Sequence, residues 1–351
     1  MAKTQNRTLN FLKGVGCMGV VLIHFPLPGT FGLVIKRLSF SAVPIFLLIS
    51  GYFSYYEDAQ AQSKALVRKT VSILKISAWA IGFYFLYALV FHLVKQDAME
   101  FLSKCFSRNG FVNFFVVNNF EIIDAYHLWF LPSLLYSYLL LLVLDKFRCI
   151  DKVYPVLPLW FAAKLAMEVV VDTYGFSYHF RCNALVAAPY VLLGRYFACK
   201  DAARACKDAA RSKIGAAGHL AIACASAIGI LILAVWNRQS GLFWLLVPCI
   251  AVPLFLLAIQ KPNMASCPFL QKVGADYSLD VYIFHIFVYR VLSNLAAFAG
   301  LTRYAVLAWA LPIATILCSV LWAAVSKAAQ GYIHRRRKAH PALRAKKSSP
   351  N

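Results

Sequence analysis

Charge is scarce in this chain of 351 residues, and acidic charge is scarcer still. Asp, Glu, Lys and Arg together make up 14% of it, with 14 acidic residues against 36 basic ones. A soluble domain carries roughly 25% charged residues, so a water-facing surface of ordinary kind is excluded. None of the ten cysteines forms a C-x-x-C pair. That leaves no metal-binding or disulfide framework to read. There is no G-x-S-x-G elbow, no P-loop and no H-E-x-x-H helix, which removes the common serine-hydrolase, nucleotide-binding and zinc-protease readings. Internal repeats are absent too.

What is present is apolar. Hydrophobic residues make up 61% of the chain, and the mean hydropathy is +0.65. They come in blocks near the ~20-residue length that spans a bilayer, at roughly 12–34, 41–56, 73–94, 126–144, 153–171, 183–199, 214–236, 242–259, 277–299 and 304–326. These blocks predict an all-α, polytopic membrane helix bundle of about ten transmembrane helices. The membrane domain is expected over 1–326, with a basic, disordered cytoplasmic tail over 327–351. The first block follows Lys3, Arg7 and Lys13 without a small-residue cleavage site, so it reads as a membrane helix and not as a signal peptide.

Ten spans put both termini on one side. With that side taken as the cytoplasm, it holds 26 of the 36 Lys and Arg residues against 8 on the other, Lys164 and Arg290 lying within spans. The positive-inside rule therefore predicts cytoplasmic termini in the plasma membrane. The net charge of +22 is spread over short loops and the tail. It suits anionic lipid headgroups and does not predict nucleic-acid binding. The longest outer loop is expected at about 95–125, and the longest inner loops at about 57–72 and 200–213.

Ionisable groups within spans are costly and raise functional questions. His24 follows Lys13 by eleven residues, about three helical turns and about 16 Å of rise, which puts both on one face. Pro26 and Pro28 follow at once and break the helix. A histidine before such a break is either a general base in a wet cavity or a partner to a neighbouring helix. His285, at similar depth in the ninth block, has the same two readings. Lys164 and Glu168, one turn apart, read as a neutralising pair serving packing, with Arg290 as a possible third member. The sharper reading is a substrate or proton path. His127 and Trp129 sit where interfacial aromatic residues collect. Arg68, Lys69 and Lys75 either set topology or seat the phosphates of an anionic ligand. His92 and Asp97 have the H-x4-D spacing of glycerolipid acyltransferases, a single short match read as coincidence.

Four stretches in order, LKGVGCMGVVLIHF, VPIFLLISGYF, HLWFLPSLL and YSLDVYIFH, resemble the motifs of the acyltransferase 3 family of multi-pass membrane acyltransferases. The resemblance covers nearly the whole chain. It implies transfer of an acyl group, commonly acetyl, from a cytoplasmic acyl-CoA co-substrate to a hydroxyl of a cell-surface glycan or its lipid-linked precursor. No bound cofactor or metal is implied. Carried over, His24 is the catalytic residue, with His285 a second candidate. Lys13, Arg68, Lys69 and Lys75 serve the donor. Ser50, Tyr52, His127 and Trp129 are candidates for the cavity or acceptor. Two departures stand out. Lys13 replaces the family's usual arginine, keeping the charge without the bidentate fork, and Pro44 stands near the place of an acidic residue that many members carry. A direct transfer, an acyl-histidine and an acyl-serine at Ser50 all remain open on the residues. Two rival functions do as well. One is a transporter or flippase, for which two matching halves are missing. The other is a different membrane acyltransferase class, with a lipid or protein acceptor.

Overall fold

The computed structural model describes residues 6–174, 184–206, 214–236 and 241–339. Among the described residues there is no strand, and the chain folds as an all-α membrane bundle. Eight of its helical segments are long and apolar enough to cross a membrane.

The first is reached through helix α1 (Arg7–His24). The Asn6 side chain caps it by accepting from the Leu9 N–H at 2.8 Å. The same side chain donates to the Ala258 carbonyl, and Thr8 Oγ1 donates to that of Lys261. The start of the chain is thereby tied to a helix some 250 residues away. Within the first apolar block, 12–34, a kink or end was expected at Pro26, and the helix does end there. Helix α1 stops at His24, because Pro26 has no N–H to continue the ladder. Gly29, at φ +69°, then adopts a left-handed backbone that few residues tolerate and opens α2 (Gly29–Ser39). A turn at Phe40 and Ser41 leads into α3 (Ala42–Tyr52), and α2 with α3 makes one candidate span, Gly29–Tyr52.

Helix α4 (Ala59–Lys95) is 37 residues long, about 55 Å, against about 30 Å of bilayer hydrocarbon. The inner loop expected at 57–72 is thus mostly helix, started by the Asp58 side chain accepting from Ala61 N–H. The expected outer loop at 95–125 is also ordered, as α5 (Ala98–Cys105), α6 (Arg108–Val112) and short turns. Phe101, Cys105, Phe120 and Ile123 are buried beneath it. His92 Nδ1 meets Asp97 at 2.7 Å within this cap, and its ring stacks on Phe101. The H-x4-D spacing therefore serves the end of α4.

The remaining helices are α7 (Phe130–Lys146), the single turn α8 (Ile150–Val153), α9 (Leu157–Tyr174), α10 (Ala184–Cys206), α11 (Ala216–Val235), α12 (Gly241–Gln260), α13 (Pro268–Lys272), α14 (Ser278–Phe298) and α15 (Leu307–Ala339). Helix α15 runs through the start of the tail expected to be disordered from Lys327. Alanine, lysine and arginine are strong helix formers, and an existing helix extends at low cost. Residues 340–351 lie outside the described residues.

Two apolar clusters hold the bundle. One joins α3, α7, α10 and α12 through residues such as Leu48, Leu141, Val191 and Phe255. The other joins α4, the 95–125 cap, α7 and α14 through Tyr84, Phe120, Leu131 and Ile283. Helices α3 and α10 approach backbone to backbone. A Cβ at Gly51 would strike the Val191 carbonyl, and one at Gly194 the Leu48 carbonyl. Large apolar side chains such as Leu86, Val94, Leu317 and Val325 are exposed, as lipid-facing positions should be.

Candidate active site

The helix break after His24 leaves its imidazole at the tip of α1. There it meets two other histidines. The His24 ring centroid lies 5.2 Å from that of His285 on α14 and 6.3 Å from that of His127, and the latter two are 4.9 Å apart. His127 belongs to a 3-10 turn, Tyr126–Trp129, that leads into α7. It was expected at the outer interface, but it is buried in the bundle. Helix α14 holds it there, braced by α4. Tyr282 Oη on α14 donates to the His127 carbonyl at 2.6 Å. Tyr84 Oη on α4 donates to the Ile283 carbonyl at 2.8 Å. The His127 Nε2–H donates to that same carbonyl at 3.1 Å.

These bonds sort the three imidazoles by role. The Nδ1–H of His285 donates to the Tyr282 carbonyl at 2.8 Å, which leaves Nε2 as its free lone pair. His127 is held through Nε2, which leaves Nδ1. Both of these free nitrogens are buried without a hydrogen-bond partner, although such groups are normally satisfied. His24 is the least confined. It packs against Tyr126, with centroids 5.1 Å apart, and is partly exposed to an internal space.

That space is a cavity of about 310 Å³, bounded by α1, α3, α4, α7, α9, α10, α12 and α14. His24, His127, Trp129 and Ser50 all line it, together with Cys17, Ser278, Tyr138, Lys164 and Glu168. His285 does not. It lies behind His24 with no exposed surface. Tyr52 is not in the wall either. Its phenol donates to Asp201 at 2.8 Å and ties α3 to α10, because the turn that carries Ser50 inward points Tyr52 to the helix end. Ser50 Oγ donates to its own helix, to the Phe46 carbonyl.

The basic residues divide. Arg68 and Lys75 share an outward face of α4 with Ser63, Lys64 and Ser72, around an open groove. Lys69 faces the other way, its Nζ 6.0 Å from the centre of the Tyr138 ring, and Tyr138 itself lines the cavity. The three form a cluster in sequence but not on one surface. A helical turn of 3.6 residues separates neighbours 68 and 69 by about 100°. Lys13 lies three turns below His24 and within electrostatic range of Asp276, outside the cavity wall. Arg290 pairs with Asp124 of the outer cap at 2.7 Å, so it is no third member of the Lys164–Glu168 pair. Sequence reading missed Cys17, Ser278 and Tyr138 as cavity residues. Cys17 alone had a signal, lying between Lys13 and His24 on one helical face.

A family model described as an acyltransferase domain, that of the acyltransferase 3 family, matches residues 6–326. The chain belongs to that family. No curated protein and no solved structure matches it. As a family member it is a membrane acyltransferase, and the helices that frame the histidine cavity are the acyltransferase domain.

Proposed function

We propose that this acyltransferase moves an acetyl group from a cytoplasmic acyl-CoA to a hydroxyl of a cell-surface glycan or its lipid-linked precursor, with His24 as the general base. The observation that supports this is the position of His24. It stands at the end of a broken helix, open to the cavity, with no hydrogen bond among the described residues to hold its nitrogens.

A thioester is already activated, so the hydroxyl needs only to lose its proton as it attacks. A neutral His24 takes that proton. The hydroxyl oxygen bonds to the thioester carbonyl carbon, and the carbon–sulfur bond then breaks. The departing thiolate recovers the proton from His24 and leaves as free CoA. Every proton and bond is accounted for without an acyl-enzyme. Ser50 is less suited to nucleophilic attack, because its hydroxyl already donates to the Phe46 carbonyl. Behind His24, the backbone-anchored His285 fixes the imidazole's place.

For the donor, the groove bearing Lys64, Arg68 and Lys75 offers three cations and two serine hydroxyls on the inner extension of α4, suited to phosphates by charge-assisted hydrogen bonds. Lys13 adds a charge at the inner part of α1. On this reading both termini are cytoplasmic and the protein sits in the plasma membrane.

The test is label transfer from radiolabelled acetyl-CoA in membranes bearing the wild type or His24→Ala at matched levels. Label in a glycan or lipid-linked fraction with the wild type, reduced about a hundredfold or more in the variant, supports the reading. Equal labelling by both would remove His24 from the chemistry.

A further inference from the structure

Two of the three clustered imidazoles, His24 and His127, border the cavity. His127 is only 1% exposed. Its Nε2–H is committed to the Ile283 carbonyl at 3.1 Å. In the neutral ring Nδ1 then holds a lone pair, and that nitrogen is buried without a hydrogen-bond partner. A buried acceptor left unmet is costly, and few are found in folded proteins. We infer that His127 selects the acceptor: its Nδ1 takes a hydrogen bond from a second hydroxyl, next to the one offered to His24, so that the site prefers a vicinal diol to an isolated alcohol.

Chemistry, distance and surroundings support this. A ring nitrogen with a lone pair can only accept, so its partner must bring an O–H or N–H. The ring centres of His24 and His127 are 6.3 Å apart. That separation suits two O–H···N bonds of about 2.8 Å from hydroxyls on neighbouring carbons. A ligand with one hydroxyl would satisfy His24 and shut Nδ1 away from water unpaired. Sites built to bond a hydroxyl reject analogues that lack it for this reason. Other polar groups of the wall have local duties. The hydroxyls of Ser50, Tyr138 and Ser278 donate to the carbonyls of Phe46, Ser50 and Gly274. His285 has an unpaired Nε2 as well, but it does not line the cavity. Trp129 and Phe130 add flat walls beside His127, of the kind that suit a ring with one apolar face and a polar edge.

This role for His127 rests on the acyltransfer reading above, and its test separates the two because it needs no acyl donor. The full chain in lipid nanodiscs is titrated with the two vicinal cyclohexanediols, followed by tryptophan fluorescence. The cyclohexanediol whose hydroxyls stand opposite each other across the ring serves as a control of the same composition. Label transfer from acetyl-CoA to the glycan fraction is measured alongside. In His127→Gln the amide N–H falls near the former Nε2 and keeps the bond to Ile283, with nothing to accept at the place of Nδ1. In His127→Asn the amide oxygen falls near Nδ1 instead. The wild type is expected to bind a vicinal diol saturably and about tenfold or more tighter than the opposed one. His127→Gln is expected to lose that preference without losing its fold, and His127→Asn to retain part of it.

Equal binding of vicinal and opposed diols by the wild type overturns the inference, as does the lack of saturable binding. A His127→Gln variant that keeps the full preference overturns it too. Should His127→Gln melt early, His127→Asn decides: a folded variant with no preference overturns the contact, and one that prefers the vicinal diol sustains it. A preference that depends on His127, without label transfer by the wild type, sustains the contact and overturns the acetyl-CoA reading instead. Label transfer that depends on His24, with no preference among the diols, overturns the contact alone.

Discussion

Two histidines 5.2 Å apart have different structural duties. His24 forms no hydrogen bond among the described residues and borders a cavity, so its removal should cost activity and little stability. His285 is fully buried and bonded through Nδ1 to its own helix. His285→Ala should lower stability by about 2–3 kcal/mol, seen as an earlier melting transition in detergent, and should lower transfer indirectly. His24→Ala should melt within a degree or two of the wild type. Were the two variants to melt alike, the division of roles between them would be wrong.

Among the elements, the α3–α10 seam has no slack. Gly51 lies against the Val191 carbonyl and Gly194 against that of Leu48, and backbone cannot retreat as a flexible side chain can. Gly51→Ala should therefore cost upwards of about 2 kcal/mol through overpacking, measurable as reduced monodispersity and earlier melting. Its neighbour Ser50→Ala should be mild. The two faces of α4 should also separate in kinetics. Arg68→Ala with Lys75→Ala should raise KM for acyl-CoA about three- to tenfold, leave kcat nearly unchanged, and weaken the response of KM to added salt. Lys69→Ala, next to Tyr138 on the cavity side, should instead change the acceptor's kinetics. A similar rise in donor KM from Lys69→Ala would show that the faces are not functionally distinct.

Viewed whole, the described residues form a helix bundle with large apolar side chains such as Leu86 and Leu317 on its outer faces. The basic excess is consistent with cytoplasmic termini. A tag at either end should then be removed by protease in inverted vesicles and protected in right-side-out spheroplasts. Opposite protection of the two tags would mean an odd number of spans. The 95–125 cap is part of the same body, since Asp124 reaches Arg290 of α14 at 2.7 Å. Replacing 98–123 by a short linker should expose Tyr84 and His127 and disturb the histidine site as well as any acceptor preference.

The chain's apolar blocks and its basic asymmetry determined the membrane class and the helical architecture, because backbone groups in hydrocarbon can be satisfied within a helix whatever the neighbours do. The eleven-residue spacing from Lys13 to His24 and the prolines after it were likewise legible, since they act within one helix. What only the tertiary structure decided is which helices meet. Local pattern gave His127 to the interface, Tyr52 to the cavity and Arg68 and Lys69 to one cluster. Packing buried the first and tied the second to Asp201, and the helical step of about 100° set the last two on different faces of α4. The Lys164–Glu168 pair was visible as a turn of helix. That it borders the same cavity as His24 follows from contacts among eight helices far apart in the chain, and no periodicity within a single helix encodes such contacts.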